Sequence, residues 1–301
     1  LTLTGEARIG ANGQPRLLDL EGVIGDPASD APVPLPGGGG DLTLREARLD
    51  LAFDASAGQS YALVAGIDDL AFEGVRLGTT RLRLAGAITT SSLDDLAVSG
   101  AVVGDIGDID IDEPSLAETI GESVALRGSF DWQQGEALDL SELTISLGDV
   151  VLEGPISFDL DEGSADLTVD VRAEVPRLSR FAAISGQPLR GSARLDLMAE
   201  ADLLSGAFDA ELRGSASDLI VADGVPTSLF AGQTDLVVVA RRDALGLTLP
   251  QLDLTSRNVT LSASGAVTSE DGRLSATARL RDLALLTDAI SGPADIDLDL
   301  T

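Results

Sequence analysis

The stretch VRAEVPRLSRFAAISGQPLRGSARLDL, Val171 to Leu197, contains the pattern that the rest of the chain repeats. Its first residues alternate between apolar and polar, which predicts a strand, and Pro176 ends that strand because proline has no N–H to donate. Pro176 also suits the first turn of a helix, and Gly186 can end that helix with a positive φ. After the glycine, Leu195 and Leu197 restore the alternation. The stretch therefore predicts a strand, a short helix and a second strand.

The same order of elements recurs at three other places in the chain. We expect short helices near residues 114–121, 176–186, 226–232 and 282–292, each ending at a glycine. The tetrapeptide LRGS also occurs three times, beginning at Leu126, Leu189 and Leu212. A recurring context of this kind indicates a degenerate structural repeat.

The composition is unusual for a large globular core. Of the 301 residues, 44% are hydrophobic but only 3% are aromatic. Leu, Val, Ile and Ala therefore supply nearly all of the apolar area, and we expect an interior with little bulky filler. The net charge is −30, and all 20 basic residues are arginines. Such a negative field repels phosphate backbones, so nucleic acid is not an expected partner.

Several chemistries are excluded because histidine, cysteine and lysine are missing from the sequence. Without them the chain has no Ser/His/Asp triad, no thiolate nucleophile, no Schiff-base lysine and no P-loop lysine. We therefore predict that the protein is not an enzyme and uses no cofactor.

One acidic row is a weak candidate for a metal site. Asp108, Asp110 and Asp112 alternate with isoleucines, and calcium could bridge oxygen ligands placed in such a row. The spacing matches no known calcium loop, and charge rows usually face solvent. We favour a solvated strand face over a cation site.

Some of the chain is expected to lie outside regular structure. Residues 26–40, DPASDAPVPLPGGGG, predict a flexible Pro/Gly loop. The sequence begins without methionine and ends within an alternating segment. We therefore expect residues 1–301 to be an internal part of one elongated β-rich repeat region.

The apolar alternation is clearest between residues 138 and 171, where we predict five successive strands. Leu236 to Ala240 is uniformly apolar, which predicts a strand covered on both faces. Pro250 separates two further apolar sets, and we expect a turn there. The whole pattern predicts an all-β fold with a few short helices, in which an antiparallel sheet has one apolar and one polar face.

A long sheet with one apolar face must hide that face, and the predicted helices are too short to cover it. We expect the sheet to fold over, leaving a hydrophobic groove that suits acyl chains because no bulky residues fill it. The predicted groove-lining residues are the apolar members of the alternating sets. They are Leu138, Leu140, Leu143, Ile145, Leu147, Ile156, Phe158, Leu160, Leu167, Val169, Val171, Leu195, Leu197, Leu236, Val238, Leu247, Leu249, Leu252, Leu254, Val259 and Leu261.

Four stretches also carry a family resemblance. They are RLSRFAAISGQPLRGSARLDL (Arg177 to Leu197), FDAELRGSASDLIV (Phe208 to Val221), LFAGQTDLVVVARRDALGLTL (Leu229 to Leu249) and RDLALLTDAISGPADIDLDL (Arg281 to Leu300). These stretches resemble the β-rich region of the translocation and assembly module TamB and its AsmA-like relatives. The resemblance covers about residues 124–301 well and the first third only by pattern.

That resemblance implies a protein of the Gram-negative envelope, anchored in the inner membrane and crossing the periplasm. It implies a folded-over sheet, the β-taco, whose groove shields phospholipids during transport between the inner and outer membranes. It also implies a link to outer-membrane protein assembly through a β-barrel partner, and no catalytic residues. The residues leave a second interpretation open, a structural or adhesive β-solenoid rod with a packed core and no lipid.

Overall fold

The computed structural model describes residues 1–10, 14–25, 31–35, 42–90, 96–161, 163–222, 224–268, 271–287 and 289–300. The chain divides into two compact units, unit 1 (Leu1–Gly148) and unit 2 (Asp149–Thr301). Both units consist mainly of antiparallel strands, so the predicted all-β class with a few short helices is confirmed. Within the described residues, no helix is long and apolar enough to span a membrane.

Unit 1 is built from long strands joined mostly by short turns. Its described strands are β1 (Thr2–Ile9), β2 (Pro15–Gly25), β3 (Val33–Pro34), β4 (Thr43–Leu44), β5 (Glu46–Asp54), β6 (Ser60–Phe72), β7 (Val75–Thr90), β8 (Leu96–Ile111), β9 (Ser123–Gln133) and β10 (Leu138–Leu147). Strand β2 pairs with β5, and from β5 to β10 each strand pairs with the next. Of the predicted loop 26–40, β3 pairs with β4, while residues 26–30 and 36–40 lie outside the described residues.

Unit 2 has the simpler topology. Its described strands are β11 (Val150–Glu153), β12 (Ile156–Asp161), β13 (Ser164–Val175), β14 (Arg190–Asp202), β15 (Ala207–Ile220), β16 (Gln233–Asp243), β17 (Gly246–Ser256), β18 (Val259–Thr268), β19 (Gly272–Leu280) and β20 (Ala294–Leu300). From β12 to β20, each strand is antiparallel to the strand that follows it in sequence.

Short helices lie in the four segments where the sequence predicts them. They are α1 (Pro114–Ile120), the 3₁₀ helix Leu178–Phe181 with α2 (Ala182–Ser185), and the 3₁₀ helices Thr227–Phe230 and Leu283–Leu285. A further 3₁₀ turn, Ala55–Ala57, lies between β5 and β6. Gly186 ends α2 with a φ of +65°, a left-handed conformation that glycine adopts without steric cost.

Two of the predicted strand boundaries are wrong. At each of them the structure has a β-bulge within one continuous strand. Leu138 to Leu147 is one strand, and Glu142, with a φ of +51°, forms a bulge between Leu140 and Leu143. Residues 138–171 therefore hold four strands instead of five. Pro250 also lies inside β17, at a register shift, and not in a turn. A bulge adds one residue to one strand, so the apolar spacing changes from two to three while the side chains stay on one face.

The main buried cluster of unit 1 contains three aromatic residues, and the residues packed against it are aliphatic. Phe53, Tyr61 and Phe130 form one cluster with Val102. One row of facing residues crosses four successive strands, β6 to β9. It consists of Tyr61, Gly86, Gly100 and Phe130. A Cβ on Gly86 would lie 1.8 Å from the Ser99 carbonyl oxygen, so glycine is required at this close backbone approach.

Burial has a direct effect on the one tyrosine of the chain. The Tyr61 hydroxyl is buried and has no hydrogen-bond partner among the described residues, and its burial raises the pKa of the phenol. The apolar residues packed around this cluster include Leu18, Leu84 and Leu126, which lie on the same face of the sheet. The apolar face of unit 1 is therefore closed by its own side chains at this point.

Candidate functional site

The pairing register of unit 2 places its apolar residues on one side. Residues directly opposite each other in an antiparallel pair project to the same face. One row of facing residues runs through Val171, Leu197, Leu212, Val238, Leu252, Ala263, Ala276 and Leu298. The next row runs through Ala173, Leu195, Gly214, Leu236, Leu254, Leu261, Ala278 and Ile296. These two middle rows contain no polar side chain.

A third row without polar side chains lies beside them and runs through Ile156, Val169, Ala199, Ala210 and Ala240, then through Leu249, Gly265, Leu274 and Leu300. Two outer rows complete this side of the sheet, which we call the apolar face. The helix-edge row consists of Val175, Ala193, Ala216, Thr234 and Ser256, and continues as Val259, Leu280 and Ala294. The hairpin-edge row consists of Phe158, Leu167, Ala201, Phe208, Arg242, Leu247 and Val267. With strands about 4.8 Å apart, the apolar face measures about 38 Å along the sheet from β12 to β20.

The opposite side, the polar face, is held together by cross-strand ion pairs. Arg172 Nε lies 2.8 Å from Asp196 Oδ1, and Arg279 Nε lies 2.6 Å from Asp295 Oδ1. These pairs are solvent-exposed and screened by salt, so they add little to stability. In the uniformly apolar Leu236 to Ala240 segment, Val237 and Val239 lie on the polar face and are half-buried, as Leu236 and Val238 are on the apolar face.

Helical connections close the apolar face along one edge. In unit 2 the three described helical connections all join strands at the edge where the helix-edge row lies. Val175, on that row, is 3% exposed, and Thr234 is 2% exposed. The 3₁₀ helix at 227–230 is fixed by Ser256 Oγ, which donates to the Leu229 carbonyl at 2.8 Å, and by Asn258 Nδ2, which donates to the Ser228 carbonyl at 2.6 Å. These two hydrogen bonds hold this connection against the turn between β17 and β18.

An acidic residue fixes the segment that contains α2. Arg177 Nε donates to Asp149 Oδ2 at 2.7 Å, and Arg180 Nη1 donates to Asp149 Oδ1 at 3.0 Å. The two guanidinium groups, Arg177 first, hold the pKa of Asp149 below its ordinary value. The charged form of this carboxyl therefore stabilises the connection between β13 and β14.

The opposite edge of the apolar face is open. Leu247 and Val267 face each other on the hairpin-edge row and are 45% and 58% exposed. The β14–β15 turn exposes Leu203 and Leu204, and the β16–β17 turn exposes Leu245. A lone exposed leucine is ordinary, but a contiguous apolar patch marks a binding surface.

The sequence-predicted lining residues fall into two groups. All those from Ile156 onward lie on the apolar face of unit 2. The other five, Leu138, Leu140, Leu143, Ile145 and Leu147, lie on β10 in unit 1. There Leu138 and Leu140 pack against the aromatic cluster, Leu143 is buried, and Ile145 and Leu147 are half-buried.

Sequence reasoning missed part of the apolar face. The missing members on β15 are Phe208, Ala210 and Leu212, and those on β20 include Ile296 and Leu298. Both sets alternate with Asp or Glu, so the period of two was available as a signal. The acidic candidates Asp108, Asp110 and Asp112 are all exposed at the end of β8. Among the described residues, no group of three or more acidic side chains is placed to hold a metal ion.

Asp108 has a structural role at the point where the alternation changes phase. Its φ is +55°, and Ile106 and Ile109 on either side of it are three residues apart. Gly78 lies opposite, and a Cβ there would come within 2.5 Å of the Asp108 Cβ. Asp69, at the corresponding position of β6 on the other side of Gly78, has a φ of +53°. Aspartate tolerates this left-handed conformation better than most residues.

The arrangement offers an extended aliphatic surface that is closed at one edge and open at the other, which suits an extended apolar ligand. The middle rows provide no donor or acceptor and no ionisable group, so the chemistry available there is hydrophobic contact alone. Comparison of the chain with protein-family models, with curated proteins and with solved structures gave no match.

Proposed function

We propose that the chain holds the acyl chains of phospholipids on the apolar face of unit 2, so that the lipids cross water between two membranes. The observation that supports this function is the open apolar face itself, with middle rows made only of aliphatic residues and glycine. A surface of this kind distinguishes acyl chains from sugars, nucleotides and peptides, which need hydrogen-bonding partners.

The energetics explain why such a face would be useful. Exposing an acyl chain of about 14 methylenes to water costs about 11 kcal/mol, at about 0.8 kcal/mol for each methylene. A continuous aliphatic surface removes most of that barrier without any catalytic group. A bound acyl chain covers the residues of the hairpin-edge row that the sheet leaves half-exposed.

The wider setting of the proposal comes from the resemblance to TamB and its AsmA-like relatives. On that basis we place the chain in the periplasm of a Gram-negative bacterium, in a protein anchored in the inner membrane. The same resemblance suggests an outer-membrane β-barrel partner and a part in outer-membrane protein assembly.

One observation favours a second function, a structural or adhesive rod without a lipid ligand. The aromatic cluster of unit 1 is a closed core, and a rod would need such packing along its whole length. A rod would bind no phospholipid, and calcium binding at Asp108, Asp110 and Asp112 would appear as a melting shift that substitution of these residues removes.

The experiment uses two neighbouring residues of β14 that lie on opposite faces. Leu197 belongs to the apolar face, and Met198, which is 45% exposed, belongs to the polar face. Transfer of fluorescent phospholipid between donor and acceptor vesicles is measured with the wild type, Leu197→Asp and Met198→Asp. We expect Leu197→Asp to abolish transfer, because a covered carboxylate loses its hydration, and Met198→Asp to leave it unchanged.

Circular dichroism checks that each variant is folded, and Ala201→Asp at the open edge replaces Leu197→Asp if that variant is not. Native mass spectrometry of the wild type tests for bound phospholipid directly. A wild type that carries no phospholipid and transfers none above the protein-free rate refutes the proposed function.

A further inference from the structure

One residue of the apolar face is charged. Arg242, near the end of β16, lies opposite Phe208 on β15 and opposite Leu247 on β17. It follows Leu236, Val238 and Ala240 on the same side of the strand, and within the described rows of the face it is the single ionisable side chain. Arg242 is exposed and lies in the hairpin-edge row, at the open edge.

The acidic residues nearest to Arg242 in register are engaged elsewhere. Asp209 Oδ2 lies 2.8 Å from the Nε of Arg241, the preceding residue, on the polar face. Asp202 Oδ1 accepts from the Leu204 backbone N–H at 3.0 Å, and Asp243 Oδ1 accepts from the Leu245 backbone N–H at 2.8 Å. The Arg242 guanidinium makes no ion pair or side-chain hydrogen bond within the described residues.

The surroundings of Arg242 are aliphatic as well as open. Leu247 beside it is 45% exposed, and the adjoining turns expose Leu204 and Leu245. An unpaired guanidinium at the border of a dry surface is complementary to an amphiphile whose apolar tail carries an anionic head. Guanidinium binds phosphate through two parallel hydrogen bonds, which an ammonium group cannot do.

We propose that Arg242 binds the phosphate of the phospholipid whose acyl chain lies on the apolar face. This inference rests on the proposed function, and it adds the position and the negative charge of the lipid head group. The acyl chain extends from the hairpin-edge row across the middle rows, and the phosphate stays at the open edge in contact with water. The chain's net charge of −30 opposes anion binding over long distances, but at physiological salt this field is screened beyond about 8 Å.

The test measures competition with a fluorescent acyl probe on the whole chain. The competitors are tetradecyl phosphate, tetradecanol and inorganic phosphate, which separate the head from the tail. The variants are Arg242→Gln, Arg242→Lys and the matched control Arg241→Gln, which removes the same charge one residue away on the polar face. We expect the wild type to prefer tetradecyl phosphate over tetradecanol by about fivefold, a size typical of a single exposed ion pair.

Arg242→Gln is expected to abolish that preference without weakening tetradecanol binding. Arg241→Gln is expected to keep the preference, and Arg242→Lys to keep part of it. Equal binding of the two alkyl probes by the wild type overturns the role of Arg242, as does a preference that survives Arg242→Gln or disappears in Arg241→Gln. Competition by inorganic phosphate alone would indicate a free-phosphate site and overturn the lipid assignment. Failure of both alkyl probes to bind the wild type overturns the proposed function itself.

Discussion

The open edge of the apolar face gives a quantitative prediction for acyl-chain binding. Leu247 and Val267 face each other, and their exposed fractions of 45% and 58% together amount to about one whole aliphatic side chain. Covering one such side chain is worth about 1.5–3 kcal/mol. The double variant Leu247→Asn/Val267→Asn removes this contact, so acyl binding should weaken by about tenfold to about 150-fold.

The matched control for this double variant is Met198→Asn. Met198 is also 45% exposed but lies on the polar face, where no acyl chain is expected. Because the sheet covers about half of each of these three side chains, each substitution should lower the free energy of unfolding by about 1 kcal/mol, and the fold should survive. Displacement of a fluorescent acyl probe measures affinity, and thermal melting followed by circular dichroism verifies the fold.

Two results would show that the reasoning is wrong. The first is an unchanged affinity of the double variant, which would mean that the open edge does not contact the ligand. The second is an equal loss of affinity in Met198→Asn, which would mean that the probe binds exposed apolar residues without regard to face.

Two further predictions concern the scaffold. Arg177 and Arg180 keep the folded-state pKa of Asp149 below its unfolded value near 3.9, so their stabilising effect is present above that pH and is lost as pH falls through the lowered pKa. Asp149→Asn should therefore lower stability at pH 7 by about 1 kcal/mol at most, because the ion pairs are partly exposed. The difference in melting temperature between the variant and the wild type should shrink as the pH falls below the ordinary aspartate pKa; a difference that does not change with pH would contradict this. Deletion of Pro250 should leave the melting temperature equal or higher, because Leu249 and Leu252 then follow strict alternation with both neighbouring strands; loss of the fold would mean that the bulge is needed.

Much of the fold is readable from the sequence, because most strands of unit 2 keep a period of two and because α1 and α2 end at Gly121 and Gly186. The two later 3₁₀ helices end at Ala231 and Leu286 instead of the predicted glycines. The bulges at Glu142 and Pro250 were not readable. A spacing of three between apolar residues can mean either a new strand or one extra residue in the same strand, and only the pairing partner separates the two.

The apolar side of each strand was predictable from the sequence, but which part of that side is closed was not. Exposure depends on what covers a residue, and the same aliphatic pattern is closed around Tyr61 in unit 1 and open at Val267 in unit 2. Arg242 was hidden for a different reason. Every residue from Leu236 to Ala240 is apolar, and Arg241 and Arg242 follow directly. Because the apolar run does not alternate, the sequence alone does not show which of the two arginines lies on the apolar face.

Because every strand from β12 to β20 pairs with its immediate sequence neighbour, the sheet of unit 2 grows by whole hairpins. Duplication of one hairpin would add two strands, about 10 Å of sheet, and would leave the pairing of the others intact. Its span could therefore be adjusted in evolution by gene-segment duplication, in steps set by strand spacing, without redesigning any existing contact.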